Sequence, residues 1–310
     1  MIAFLFPGQG SQKVGMGKDL AGEFPICART LAEADEALGE PLSRLCFEGP
    51  ADELTLTHNT QPAIVAISVA MARLLESRGV QASFLAGHSL GEYSAHVVAG
   101  TFSFADALRT VRRRGRYMQE AVPVGTGAMA AILGLDLDAV ARACAEAAEG
   151  DVVSPANVNA PGQVVIAGTA MAVARAGEVA TRLGAKRVLP LPVSAPFHCA
   201  LMQPAQDRLE PDLRALAVST PRVPVIANVD GQPKTSAGEA IEALIRQVSA
   251  PVRWIDVVER LASEGVRDYV EVGPGTVLSG LLRTIDRDLR VVSLDAADGL
   301  GRAEALATPA

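Results

Sequence analysis

An α/β protein carrying a smaller inserted β-α-β-β-α-β unit is the fold class predicted by this chain of 310 residues. Three observations carry the prediction. Short apolar runs of strand length alternate with longer runs of helical period, the pattern of a sheet covered by helices. A tight Gly87-His88-Ser89-Leu90-Gly91 turn stands between one such strand and one such helix. From residue 124 to 192 the texture changes to short strands and two amphipathic helices in the split βαβ, ferredoxin-like order. Residues 1–123 and 193–310 then form the large domain, and residues 124–192 the inserted subdomain.

Composition narrows the function classes. An apolar content of 49% is ample for a buried core, and a net charge of −7 argues against general binding to nucleic acid or anionic membranes. No stretch reaches the roughly 20 uninterrupted apolar residues of a membrane span. Cys27, Cys46, Cys144 and Cys199 are scattered, without C-x-x-C or metal-ligand spacing, so reduced thiols in a cytoplasmic protein are expected, and no metal.

In chain order, residues 2–6 read as a fully buried first strand rather than a signal peptide, since the run is short and lacks a basic leader. Pro7-Gly8-Gln9-Gly10-Ser11-Gln12 breaks it into a loop. Its glycines invite a nucleotide-loop reading, but the lysine and Ser/Thr of a P-loop are absent. Residues 25–78 are helical, in pieces divided at Gly39-Glu40-Pro41, Gly49-Pro50 and Thr60-Gln61-Pro62, the last piece ending at Gly79. A strand over 82–86 leads into the Ser89 turn, a helix follows over 93–99, and another over 104–120 starts near Ser103. That helix carries Arg109, Arg112, Arg113, Arg114 and Arg116, and most of these predict a solvated face. Strand-like runs at 128–133, 152–158, 164–168 and 186–189, with helices at 138–149 and 170–183, make the inserted unit. Alternating prolines predict a stiff extended segment from 190 to 198. Helices at 200–217, 238–248 and 252–263 and strands at 223–228 and 269–272 complete the large domain, and the chain from about 296 is expected to fray.

The Gly87-His88-Ser89-Leu90-Gly91 turn has the G-x-S-x-G form, which makes the large domain α/β-hydrolase-like. Glycines two before and two after the serine permit the sharp backbone that exposes its hydroxyl, and the following helix directs free N–H groups at it. Ser89 is therefore a candidate acyl-transfer nucleophile. It needs a base, and there are four histidines. His58 lies in a polar stretch, His96 is a packing or surface position, and His88 points away from its neighbour across a sharp turn. His198 remains by elimination. Asp230 or Glu271 could orient its ring, and spacing selects neither.

Further motifs extend these: Phe6-Pro7-Gly8-Gln9-Gly10-Ser11-Gln12, Thr60-Gln61-Pro62-Ala63, Arg114-Gly115 with Met118-Gln119, Asn157 with Asn159-Ala160-Pro161-Gly162-Gln163, Pro196-Phe197-His198-Cys199 and Glu271-Val272-Gly273-Pro274-Gly275. In this order, over nearly the whole chain, they resemble the malonyl-CoA:acyl carrier protein transacylases of type II fatty acid synthesis. The resemblance implies a Ser89–His198 dyad whose histidine is oriented by the main-chain carbonyl of Gln247 rather than by an acid. It further implies an oxyanion hole from the backbone N–H groups of Gln9 and Leu90, and Arg114 as the ligand of the malonyl carboxylate. A guanidinium suits that task because it grips a carboxylate through two parallel charge-assisted bonds. Leu90 and Phe197 resemble the malonyl-using pattern over the methylmalonyl one, although some relatives have serine at position 197. The partners implied are malonyl-CoA and acyl carrier protein, whose phosphopantetheine thiol receives the acyl group; no resident cofactor, nucleic acid or membrane is implied, and a monomer is expected. Lys186 and Arg187 are candidates for contact with an acidic carrier. The alternatives are a free-standing acyltransferase serving a polyketide synthase, an α/β-hydrolase esterase with an acid between serine and histidine, and a catalytically silent carrier-binding scaffold.

Overall fold

A computed structural model describes residues 1–193, 195–295 and 299–307. Strand β1 (Ile2–Phe6) is buried at every position, as a central strand of a parallel sheet must be. The loop after it leads to helices α1 (Lys18–Glu23), α2 (Pro25–Leu38), α3 (Leu42–Glu48), α4 (Ala51–Thr55) and α5 (Thr57–Ser77). Helix α5 runs straight through the predicted break at Thr60-Gln61-Pro62, and His58 sits half-buried in its first turn rather than in a loop. Pro62 lies near the helix start, where it forfeits one backbone bond. Burial of the helix from Thr60 through Ala72 outweighs that loss.

Strand β2 (Phe84–Gly87) delivers the serine turn, followed by α6 (Gly91–Val98) and α7 (Phe104–Glu120). Ser103 caps α7 by accepting from the Asp106 N–H, as its position predicts. The inserted unit follows as β3 (Gly127–Leu133), α8 (Leu137–Ala147), β4 (Val153–Ala160), β5 (Gln163–Thr169), α9 (Ala170–Arg182) and β6 (Arg187–Pro190). A 3₁₀ turn at Ala200–Met202 and α10 (Gln203–Arg214) replace the single predicted helix.

The remaining elements are β7 (Val225–Ile226), β8 (Pro233–Lys234), α11 (Ala237–Gln247), α12 (Trp254–Ser263), β9 (Asp268–Val272), α13 (Val277–Ile285), β10 (Arg290–Leu294) and α14 (Gly299–Ala307). The predicted frayed end is therefore helical over α14, while residues 296–298 and 308–310 lie outside the described residues. Elements α1, β8, α13 and β10 have no counterpart in the sequence reading.

Two sheets result. The larger has six strands in the order β10-β9-β1-β2-β7-β8, all parallel except the β7–β8 pair. The smaller has four, in the order β4-β5-β3-β6, and every pair is antiparallel. Ile132, Val140, Ile166 and Val173 form part of a local core between this sheet and α8 and α9. Met129, Ala156 and Val165 instead join the main core, so the small sheet is bonded to the large unit through one of its faces. The joint includes two backbone bonds, Val158 N–H to Val252 at 2.8 Å and Val252 N–H to Ala156 at 2.9 Å. Chain positions at the carboxyl ends of β1, β2 and β7 hold Gln9, Ser89 and Asn228, and the cleft between the two sheets opens there.

Candidate active site

Ser89 stands at φ 50°, in the left-handed region that a non-glycine residue occupies at a cost of about 1–3 kcal/mol. Close packing imposes it. A Cβ on Gly91 would come 2.0 Å from the carbonyl oxygen of Phe6, and one on Gly87 would meet the Gly91 carbonyl carbon at 2.0 Å. Both flanking glycines are thus required by contact, which is what the turn motif predicts.

Asn228 holds the strained turn from beneath. Its side-chain oxygen accepts the Ser89 N–H at 2.6 Å and its amide donates to the Gly87 carbonyl at 2.7 Å. The backbone N–H groups of Gln9 and Leu90 border the same cleft and donate to no other group among the described residues. They are available to a ligand oxygen.

His198 Nε2 lies 2.7 Å from Ser89 Oγ. Its Nδ1 faces two main-chain carbonyls, Gln247 at 3.0 Å and Ala250 at 3.2 Å. Carbonyls only accept, so Nδ1 carries the proton and Nε2 presents its lone pair to the serine hydroxyl. Burial, reinforced by the charge of Arg114, depresses the imidazole to about 3, so the ring is neutral around pH 7. His198 does not end a straight strand as the prolines predicted: it sits at φ 61° on a turn, with Phe197 N–H bonded to Ala195. Residue 194 of that segment lies outside the described residues.

The other histidines separate as expected in role, though not in surroundings. His88 turns to Asn159 at 2.8 Å and packs beside Trp254, leaving Ser89 to His198. His96 is buried, bonded through Nδ1 to Thr101. Neither acid left open by spacing approaches His198. Asp230 pairs with Lys234, and Glu271 accepts from the Leu278 and Ser279 N–H groups at the start of α13.

Arg114 is 1% exposed and belongs to the cleft, whereas Arg113 and Arg116 of the same helix are exposed and Arg112 pairs with Glu40. Its Nη1 donates to Gln61 Oε1 at 3.0 Å, and its Nη2 to Gln247 Oε1 at 3.0 Å and to Ser89 Oγ at 3.1 Å. Every one of these partners is neutral, and Nε has none. Among the described residues the guanidinium forms no ion pair; the Tyr93 ring face, 5.5 Å from Cζ, and the Glu92 carboxyl beyond Gln247 favour its charge, and a directly bound anion would favour it further.

Gln61, Asn228, Glu92 and the side chain of Gln247 had no site role in the sequence reading. Glu92 immediately follows the turn motif and is wholly buried, and burial raises its carboxyl to about 7. A carboxylate in an otherwise apolar helix start and an asparagine at a strand's end were the available signals. Phe197, Leu90, Met129 and Asn157 line the rest of the cleft. Lys186 and Arg187 are exposed at the start of edge strand β6, four positions and more before Leu191, which reaches the cleft.

Residues 3–299 match the acyl transferase domain family. The chain is 54% identical over 295 residues to the malonyl CoA-acyl carrier protein transacylase of Escherichia coli (strain K12), covering 95% of this chain and 96% of that protein. The protein of the same description in Bacillus subtilis (strain 168) is 50% identical over 294 residues, covering 94% and 93% respectively. Among solved structures, an acyl carrier protein S-malonyltransferase from Vibrio cholerae superimposes with a TM-score of 0.95 at 51% identity, covering 97% of this chain and 99% of that one. A malonyl-transacylase in complex with a type II polyketide acyl-carrier protein gives a TM-score of 0.96 at 49% identity, covering 98% and 99%.

Proposed function

This chain belongs to the acyl transferase domain family, and we infer that it transfers malonyl from malonyl-CoA to the phosphopantetheine thiol of acyl carrier protein for fatty acid synthesis. The observation that carries the reading is Arg114: a buried guanidinium without a carboxylate partner, 3.1 Å from the candidate nucleophile. An acyl group that itself bears a carboxylate completes the site. A serine hydrolase acting on neutral esters would leave the cation unpaired.

In the first half-reaction Ser89 Oγ attacks the thioester carbonyl while its proton passes to His198 Nε2. The developing oxyanion is received by the Gln9 and Leu90 N–H groups. The C–S bond then breaks, and the departing CoA sulfur takes the proton from His198. Carrier thiol repeats the sequence in reverse on the malonyl-serine. Substrate also tunes the base, because a carboxylate on Arg114 offsets the cationic charge that holds the His198 pKa down.

Several finer assignments support this reading without being required by it. The parallel sheet with its serine turn supports an α/β-hydrolase-like large domain over 1–123 and 193–310. The antiparallel order β4-β5-β3-β6 supports a ferredoxin-like subdomain over 124–192. Buried Leu90 and Phe197 suit malonyl over bulkier branched units. We assign the protein to the cytoplasm as a monomer without a resident cofactor. Lys186 and Arg187 are assigned to the acidic carrier.

Intact-protein mass spectrometry after mixing with malonyl-CoA or acetyl-CoA tests the reading. A malonyl adduct is expected on the native chain and none on Ser89→Ala. Arg114→Ala is expected to lower malonyl loading by about 100-fold, equivalent to about 3 kcal/mol, with acetyl loading little changed. Equal labelling of the native chain by both thioesters rules out the role given to Arg114.

A further inference from the structure

Beneath the serine turn lies a hydrogen-bonded relay built on two side chains. Gln247 offers its amide with an unambiguous polarity. Its Nε2 donates to the Ser89 carbonyl at 2.9 Å and to Glu92 Oε2 at 2.8 Å, while its Oε1 accepts from Arg114 Nη2 at 3.0 Å. A flipped amide would set oxygen against two acceptors and NH₂ against a guanidinium. Glu92 is 0% exposed, and its Oε2 accepts from the Asn228 N–H at 3.0 Å as well as from Gln247, while Oε1 has no partner among the described residues. One carboxyl oxygen therefore braces both the residue under the nucleophile and the residue beside Arg114.

We propose that Glu92 and the Gln247 side chain are positioning residues for acyl selectivity. Glu92 fixes the polarity of the Gln247 amide, and the amide oxygen fixes the Arg114 guanidinium so that it meets the acyl carboxylate. The proposal rests on the carboxylate-binding role of Arg114. It is distinct from the orientation of His198, which uses the main-chain carbonyls of Gln247 and Ala250 and not that side chain. Glu92 acts as an acceptor through Oε2, so an amide oxygen can take its place, and because Oε1 has no partner among the described residues an NH₂ there breaks no existing bond.

The test measures acylation of Ser89 by malonyl-CoA and by acetyl-CoA, as kcat and KM for each, in Gln247→Met, Glu92→Met, Glu92→Gln and Arg114→Ala. Gln247→Met is expected to lower kcat for both thioesters by a common factor, because the bond to the Ser89 carbonyl is lost, and in addition to raise KM for malonyl-CoA alone, so that the malonyl-to-acetyl ratio of kcat/KM falls at least about tenfold. Glu92→Met is expected to lower the malonyl-to-acetyl ratio in the same direction, with some loss of kcat for both substrates through Asn228. Glu92→Gln is expected to keep the native ratio within about threefold. Should Glu92→Met fail to fold, Gln247→Met carries the test alone. A collapse of the ratio in Arg114→Ala with no change in Gln247→Met overturns the positioning role while sparing the reading of Arg114. An unchanged ratio in Arg114→Ala overturns both. Equal losses for the two thioesters in Gln247→Met reduce the relay to a scaffold and also overturn the proposal.

Discussion

Single residues decide the chemistry here through burial. His198 is the clearest case, since removal from water disfavours its charged form and leaves a neutral base in contact with Ser89. The acid limb of kcat/KM for malonyl transfer is accordingly expected well below the ordinary imidazole value of 6.5, and a limb at that value in a pH–rate profile would contradict it. His96, also held at about 3 by burial, bears on stability instead. Its folded pKa lies below the unfolded one, so the unfolded chain binds the extra proton between about pH 3 and 6.5. Stability is thus lost as pH falls through that window. His96→Phe, which retains the ring contact with Phe102, is expected to lose less Tm than the native chain between about pH 7 and pH 5. Differential scanning at the two pH values measures this. His198 was legible by elimination among four histidines. What fixes its tautomer was not, because a main-chain carbonyl has no sequence signature.

Elements place those residues by close approach. Helix α7 packs on α5 at Gly115, where an added Cβ would fall 2.8 Å from His58 Cα and from the Thr57 carbonyl oxygen. Both are backbone atoms and cannot yield without moving a helix. Gly115→Ala is expected to cost roughly 1–3 kcal/mol in urea unfolding, and to raise KM for malonyl-CoA by displacing the adjacent Arg114. A variant of native stability and KM would refute the close-contact account. The helix itself was readable from its period and its Ser103 cap, and so was an arginine-rich face. Period also separates the consecutive arginines, since the stripe of Ala107, Val111 and Met118 passes through Arg114 and not through Arg112 or Arg113; what the guanidinium meets there was not legible, because Gln61 and Gln247 belong to other elements. The same limit explains the misplaced break at Pro62: local propensity argues for an end, and burial of α5 overrules it.

At the scale of the whole molecule the two sheets share a core, because Met129, Ala156 and Val165 of the small unit pack with the large one. Trp254 is the only tryptophan, is fully buried, and lies in the helix that follows the joint at Val252. Its fluorescence and the far-UV circular dichroism of the chain are expected to report one coincident thermal transition. Separate midpoints would show that the small unit unfolds alone. The sequence by itself determined the strand-turn-helix that exposes Ser89, the β-α-β-β-α-β order of the small unit and the candidate base. Each depends on spacing or on residue types within one short stretch, where local sterics and periodicity act. Tertiary structure decided the order of the larger sheet, the carbonyls that orient His198, and the ring of Gln61, Gln247 and Ser89 around Arg114. Those contacts join positions up to 266 residues apart, as between Ile2 and Asp268 in the sheet, and 158 apart between Gln247 and Ser89 in the site. No local preference encodes them, and only packing of the two cores brings their polar atoms within bonding distance.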